Sequence, residues 1–400
     1  MKKINFIIPI ILVTSLFFLW GLSYGLLDVL NKHFQDTLNI NKQSSTLLQA
    51  AYFGAYFLVA LPAGMLMNKL GYKKGIIIGL ILYAVGAVAF YPSAESHSFY
   101  LFLLSLFILA SGLTFLETAA NPYIVKLGRP ETSAVRLNLA QSFNGVGSFL
   151  GPIIGAQLFF GGAVLADNSG SLNSVKYVYV LIAAVVLMVA PLFFRTPMPD
   201  VKEETSKQAQ TTDSRKLVQH RHFVLAVFTQ FFYVAAQIGI AALFINYCTE
   251  KGLGITDERA SYLLSASLVL FTIGRFAGTA IMKVVPPQKL LAIYAVANII
   301  LCACVIWLHG MISVYALMAI FFFESIMFPT IFALGIKDLG SLTKKGSSFI
   351  IMSIAGGAFV PFAMGSLAEA YSTPFSYIIP LGCFIVVFIF AISGYKPKTA

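Results

Sequence analysis

Asp28, Glu117 and Glu324 stand inside long apolar runs of this chain. An acid among apolar neighbours is costly unless it is paired, hydrogen-bonded or protonated, so acids in such places carry chemistry more often than they merely fill space. Asp28 belongs to a stripe. Trp20, Tyr24, Asp28 and Asn31 recur at i, i+4, i+8 and i+11, which is one face of a helix. Two aromatic rings can cover the apolar face of a pyranose, while an acid and an amide take its hydroxyls. The alternative is an ion pair between Asp28 and Lys32, one turn on. Glu117 shares a face with Ser111, Thr114 and Asn121, and no lysine or arginine lies in its apolar stretch. Pro122 is expected to interrupt the helix just past it and free a carbonyl. An acid so placed can hold and release a proton near neutral pH; otherwise it is a neutral tie between helices.

Glu324 has only apolar neighbours in sequence (Phe321, Phe322, Phe323, Met327 and Phe328). It is open to three roles: a second proton site, a sugar contact, or a helix tie. Arg275 is expected to clamp helix ends rather than touch a substrate. Gln141, Asn144 and Ser148 share one side of a further run, and Gln230, Tyr233 and Gln237 share a side of another. Amides both donate and accept, which suits neutral ligands rich in hydroxyls; their other use is to bind helix to helix.

No other chemistry competes. There is no G-x4-G-K-[ST] and no H-E-x-x-H, and Gly145-Val146-Gly147 with Gly151 only approaches a dinucleotide loop while lying inside an apolar run. His220 and His222 sit at the edge of a polar linker. Cys248, Cys302, Cys304 and Cys383 lie in apolar runs without metal or disulfide spacing, and read as packing residues. No cofactor, metal or enzymatic activity is expected.

The elements that must position these residues follow from composition. Hydrophobic residues make up 58% of the 400, and charged residues only 11%. That is less than half the roughly 25% of an ordinary globular domain. A soluble multidomain enzyme, a disordered chain and a disulfide scaffold are excluded, and a polytopic membrane protein remains. A membrane helix needs about 20 apolar residues. Twelve runs qualify: 9–34, 44–68, 75–92, 99–126, 135–160, 176–194, 221–248, 258–282, 288–308, 312–337, 346–369 and 375–394. The opening Met1-Lys2-Lys3 and the apolar run from Ile7 imitate a secretory leader. No cleavage pattern follows, so the run is read as the first span.

With both termini on one side, the other side receives only Lys32, Lys42, Lys176, Lys251 and Arg259 of the 27 basic residues. This asymmetry places the termini in the cytoplasm of a cell with a cytoplasmic, or inner, membrane. It also accounts for the net charge of +11, so nucleic acid is not a partner; the lipid bilayer is.

The chain repeats itself. Glu117-x4-Pro122-x-Ile124-x2-Leu127-Gly128 matches Glu324-x4-Pro329-x-Ile331-x2-Leu334-Gly335. The matched segments fall on spans four and ten. The expected layout is an all-α membrane protein of two pseudo-symmetric six-helix halves, 1–194 and 221–400, joined by a cytoplasmic linker at 195–220. Parallel repeats of this kind place a ligand site near the midplane between the halves.

The motifs also carry a family resemblance. Phe17-Phe18-Leu19-Trp20 with Leu26-Leu27-Asp28-Val29-Leu30-Asn31-Lys32-His33-Phe34-Gln35 resembles the first span of the L-fucose:proton symporters of the major facilitator superfamily. Leu116-Glu117-Thr118-Ala119-Ala120-Asn121-Pro122-Tyr123 is similar to that family's fourth-span signature, and Arg136-Leu137-Asn138-Leu139-Ala140-Gln141-Ser142-Phe143-Asn144 to its fifth. The resemblance implies the major facilitator fold and proton-driven uptake of a monosaccharide, L-fucose or a related hexose, by a monomer. Asp28 and Glu117 would couple the proton. The resemblance sets Gln141 and Asn144 near that pair; together with the residues read above, the expected sugar site is Trp20, Tyr24, Asp28, Asn31, Glu117, Asn121, Gln141, Asn144, Tyr233, Gln237 and Glu324.

The sugar shell departs from that of the fucose carriers. They have amides in the middle of span one, where this chain has Tyr24, Gly25 and Leu27. They have a glutamine at the place of Met327, an arginine at that of Asn246, and no acid at that of Glu324. Glucose/galactose and N-acetylglucosamine carriers share much of the pattern, and some relatives use sodium. A non-transporting sugar receptor or a channel are the readings from other classes.

Overall fold

The computed structural model describes residues 7–40, 47–155, 172–198, 217–250, 254–255 and 257–397. Within these, the side chains at 7, 28–29, 31–32, 35–36, 152, 155, 250, 257–258, 261 and 369 are not described. Among the described residues there is no strand. Eleven helical stretches are long and apolar enough to cross a membrane. The remaining expected span, the fifth, is the helix Ser133–Gly155. Its amides and small residues make it less apolar than the others.

The described chain gathers into two compact units. One holds Met1–Leu127 and Phe143–Val201, the other Gly128–Ser142 and Lys202–Ala400. The start of span five clusters with the second unit. Two side-chain bonds join it there. Asn138 Nδ2 donates to Thr330 Oγ1 at 3.2 Å, and the Gln141 carbonyl accepts from Arg275 Nη1 at 2.8 Å.

In the first unit, span four (Phe99–Lys126) packs against span two (Leu47–Leu70) and span three (Tyr72–Glu95), and span three packs against span six (Leu172–Arg195). Aromatic layers fill the interior, with Phe90 stacked on Tyr179 at 3.7 Å and Phe34 against Phe102 at 4.5 Å. Span one (Ile7–Thr37) and span five cross at backbone contact. A Cβ on Gly21 would meet the carbonyl of Asn144, and one on Gly147 the carbonyl of Phe18. Small residues permit this approach where helices lack a hydrophobic drive to associate.

Span four corrects one expectation. It runs through Pro122 as an unbroken helix. A proline removes a single helical donor, and spans two and three pack along this helix.

The second unit behaves differently at the matching proline. Span ten is two helices, Met311–Glu324 and Met327–Gly335. Pro329 has no N–H to give to the carbonyl four residues back, that of Ser325. The break falls there. Span seven is Arg221–Ala242 followed by Phe244–Glu250, and span eleven is interrupted at Ser353–Ala355. Span seven packs on the later parts of spans ten and eleven and on span twelve, and span nine (Pro287–Trp307) packs on spans ten and twelve. Of the expected linker, Leu217–Gln219 forms a turn leading into span seven, and 199–216 lie outside the described residues.

Candidate functional site

The first unit builds its site around Glu117. The carboxyl is buried, with 8% of the residue exposed. It accepts a hydrogen bond from the Tyr56 hydroxyl, and its Oε2 has no partner. Tyr56 belongs to a phenol cluster. Its ring lies 5.5 Å from that of Tyr52, which lies 6.4 Å from that of Tyr24. Tyr52 and Tyr56 are one turn apart on span two, so both hydroxyls reach the same side. Sequence reasoning missed them. Their spacing is visible, but Tyr52-Phe53-Gly54-Ala55-Tyr56 is one of many aromatic pairs in a chain with 18 tyrosines.

The other members of the polar face of span four are already satisfied. Ser111 Oγ donates to the Phe107 carbonyl at 2.7 Å and Thr114 Oγ1 to that of Ala110 at 2.8 Å. Such back-bonding lets a hydroxyl sit in an apolar helix at little cost. That leaves the Glu117 carboxyl, with one oxygen unbonded, as the group of this face with chemistry to offer; Asn121, one turn on, is fully buried.

Trp20 is buried, with its ring 4.2 Å from that of Phe17, and Tyr24 is half-buried. Asp28 and Asn31 lie on the helix of span one, but their side chains lie outside the described residues. A further polar link on this helix joins Ser23 to the Tyr83 hydroxyl of span three.

The amide face of span five divides its work. Asn144 Nδ2 donates to the Phe17 carbonyl at 3.2 Å, a tie inside the first unit. Gln141 is buried in the second unit, where its main-chain carbonyl, not its side-chain amide, takes the Arg275 bond. Of this expected sugar face the Asn144 amide is therefore committed to backbone.

In the second unit the break in span ten organises the site. Arg275 is buried on span eight (Asp257–Ile281). Its Nε donates to the Ser325 carbonyl at 2.6 Å, replacing the donor that Pro329 lacks. The guanidinium lies 4.4 Å from the ring centre of Phe271. Tyr233, fully buried on span seven, donates its hydroxyl to the Glu324 carbonyl at 3.0 Å. The two carbonyls exposed by the break are thus capped by two side chains. Glu324 itself is 0% exposed, and neither carboxyl oxygen has a hydrogen-bond partner. Gln237 is half-buried, while Gln230 and Asn298 are fully buried with their amide atoms unbonded.

Among the described residues no three His, Cys, Asp or Glu side chains come together as metal ligands, and all four cysteines are free. The arrangement offers carboxyls, phenols and amides in apolar surroundings. It can exchange protons and bind hydroxyl groups.

Comparison with known proteins agrees with this chemistry. The model of the Major Facilitator Superfamily matches residues 13–350. The chain is 40% identical to the L-fucose-proton symporter of Escherichia coli over 416 residues, covering 99% of this chain and 94% of the relative. It is 37% identical to a glucose/galactose transporter of Brucella abortus, covering 96% and 93%. A crystal structure of a variant of the E. coli fucose:proton symporter FucP superposes with a TM-score of 0.86 at 40% identity, covering 97% of this chain and 98% of that one.

Proposed function

The chain belongs to the Major Facilitator Superfamily, and from that premise we propose that it is a proton-coupled monosaccharide symporter of the cytoplasmic membrane. The observation that carries this reading is Glu117, a buried acid with a phenol hydroxyl on one oxygen and nothing on the other. An acid with one free oxygen in an apolar unit can accept a proton there. Once neutral, it can also donate to a sugar hydroxyl. Asp28 is the second member of the proton pair. Trp20, Tyr24, Asn31, Asn121, Asn144, Gln141, Tyr233 and Gln237 supply aromatic surface and amide or hydroxyl partners for the sugar.

The halves 1–194 and 221–400 alternate access around this site as a monomer, with the linker 195–220 and both termini in the cytoplasm. One charge moving down 100 mV releases about 2.3 kcal/mol. At 1.36 kcal/mol per tenfold, that supports roughly 50-fold accumulation, and a pH gradient adds to it.

The sugar is L-fucose or a related hexose. The Brucella abortus relative and the altered places Met327 and Asn246 favour testing glucose and galactose beside fucose. The experiment is counterflow of labelled sugar in proteoliposomes with a panel of unlabelled competitors. Trans-stimulated uptake competed by one or more of these sugars is expected. Absence of counterflow with every sugar would remove the carrier reading and leave the receptor.

A further inference from the structure

The second unit holds an acid that the symport reading above does not use. Glu324 is 0% exposed and has no hydrogen bond to either oxygen. A carboxylate in that environment is costly unless it is paired or protonated. It ends the first helix of span ten, beside the carbonyl held by Arg275. Arg275 is its charged neighbour, and two of the guanidinium nitrogens are held by backbone: Nε by Ser325 and Nη1 by Gln141. A buried cation and a buried acid therefore stand close together without forming a salt bridge.

The other groups facing Glu324 are poor competitors. Tyr233, from span seven, has its hydroxyl on the Glu324 carbonyl, and span nine presents Cys302. The second helix of span ten, Met327–Gly335, has no charged side chain. Gln141 belongs to a helix whose chain continues directly into the first unit, whereas Ser325 lies within span ten.

We propose that Glu324 is a second proton-binding site, carried by the second unit and exchanged against Arg275. It keeps its proton while Arg275 holds the carbonyls of Ser325 and Gln141. When Arg275 leaves Gln141, the freed nitrogen turns to the carboxyl. The O–H bond then breaks, its electron pair stays on the carboxylate and the proton passes to water. This rests on the reading of the protein as a proton-coupled sugar carrier, and gives that carrier a titrating group in each unit.

The test is infrared difference spectroscopy of the full-length protein in proteoliposomes during a pH titration. One component of the protonated-carboxyl absorption, present in the wild type and retained in Glu117→Gln, is expected to be missing from Glu324→Gln and moved in frequency by Glu324→Asp. The Asp variant keeps the assignment secure if the Gln variant folds poorly. The band should disappear as pH rises, and Arg275→Gln should hold it to a proton concentration about tenfold lower or less, because the carboxylate has lost its counter-charge. A spectrum unchanged by both Glu324 substitutions, or a Glu324 band that never ionises, overturns the proposal. Counterflow measured on the same vesicles separates the two readings. If sugar exchange persists without a titrating Glu324 band, only the second proton site fails. If exchange is absent as well, the carrier reading fails with it.

Discussion

Tyr56, on span two, donates its hydroxyl to the carboxyl of Glu117 on span four. The bond fixes which oxygen of the acid is occupied and leaves the other open. Removing the hydroxyl in Tyr56→Phe leaves a buried acceptor unsatisfied, at a cost of about 1–3 kcal/mol. A lower melting temperature of the purified protein is expected. The loss should be non-additive with that of Glu117→Gln, because both substitutions touch one interaction. Additive losses would show that the two groups do not act together.

Glu117→Gln should separate exchange from accumulation. Glutamine is nearly isosteric and imitates the protonated acid, so labelled-sugar counterflow should continue. Uphill uptake driven by a proton gradient should be lost, since no proton binds at that place. Normal accumulation by this variant would take Glu117 out of the coupling step.

Coupling should be to protons. Addition of a transported sugar to cells expressing the protein should raise the pH of a weakly buffered medium. Uptake at fixed pH should be indifferent to replacing sodium with potassium. Strict sodium dependence would contradict the assignment of Asp28 and Glu117 as the coupling pair.

The crossing of spans one and five gives a packing test. In Gly147→Ala the new methyl meets the Phe18 carbonyl, which cannot move without shifting a helix. Overpacking of this kind costs about 1–3 kcal/mol. Gly54 has nothing within 4 Å of the same position, so Gly54→Ala should be neutral or raise stability, by up to about 1 kcal/mol. Thermal melting of the two variants side by side checks the contrast.

Asn138 and Thr330 make the corresponding polar test in the second unit. Thr330→Val removes the hydroxyl at 3.2 Å and leaves the Asn138 amide its bond to the Ala134 carbonyl at 2.9 Å. The expected loss is about 0.5–1.5 kcal/mol, read as a lower melting temperature.

Hydropathy and the repeated E-x4-P-x-I-x2-L-G pattern are local properties, and they were enough to give the helical spans, while the motifs of spans one, four and five gave the family resemblance. They could not give the partners. Tyr56 and Glu117 are brought together by the packing of spans two and four, and no spacing along the chain encodes that meeting. The amides of span five share a helical face in sequence, yet the Asn144 amide is committed to a span-one carbonyl. The clearest case is the repeat itself. Both copies carry a proline five residues after the acid, but span four stays whole and span ten breaks. A proline fixes only which carbonyl loses its donor. Whether the helix opens there depends on what a neighbouring helix supplies. In the second unit Arg275 and Tyr233 reach the freed carbonyls from other spans, and only the tertiary structure could place them there.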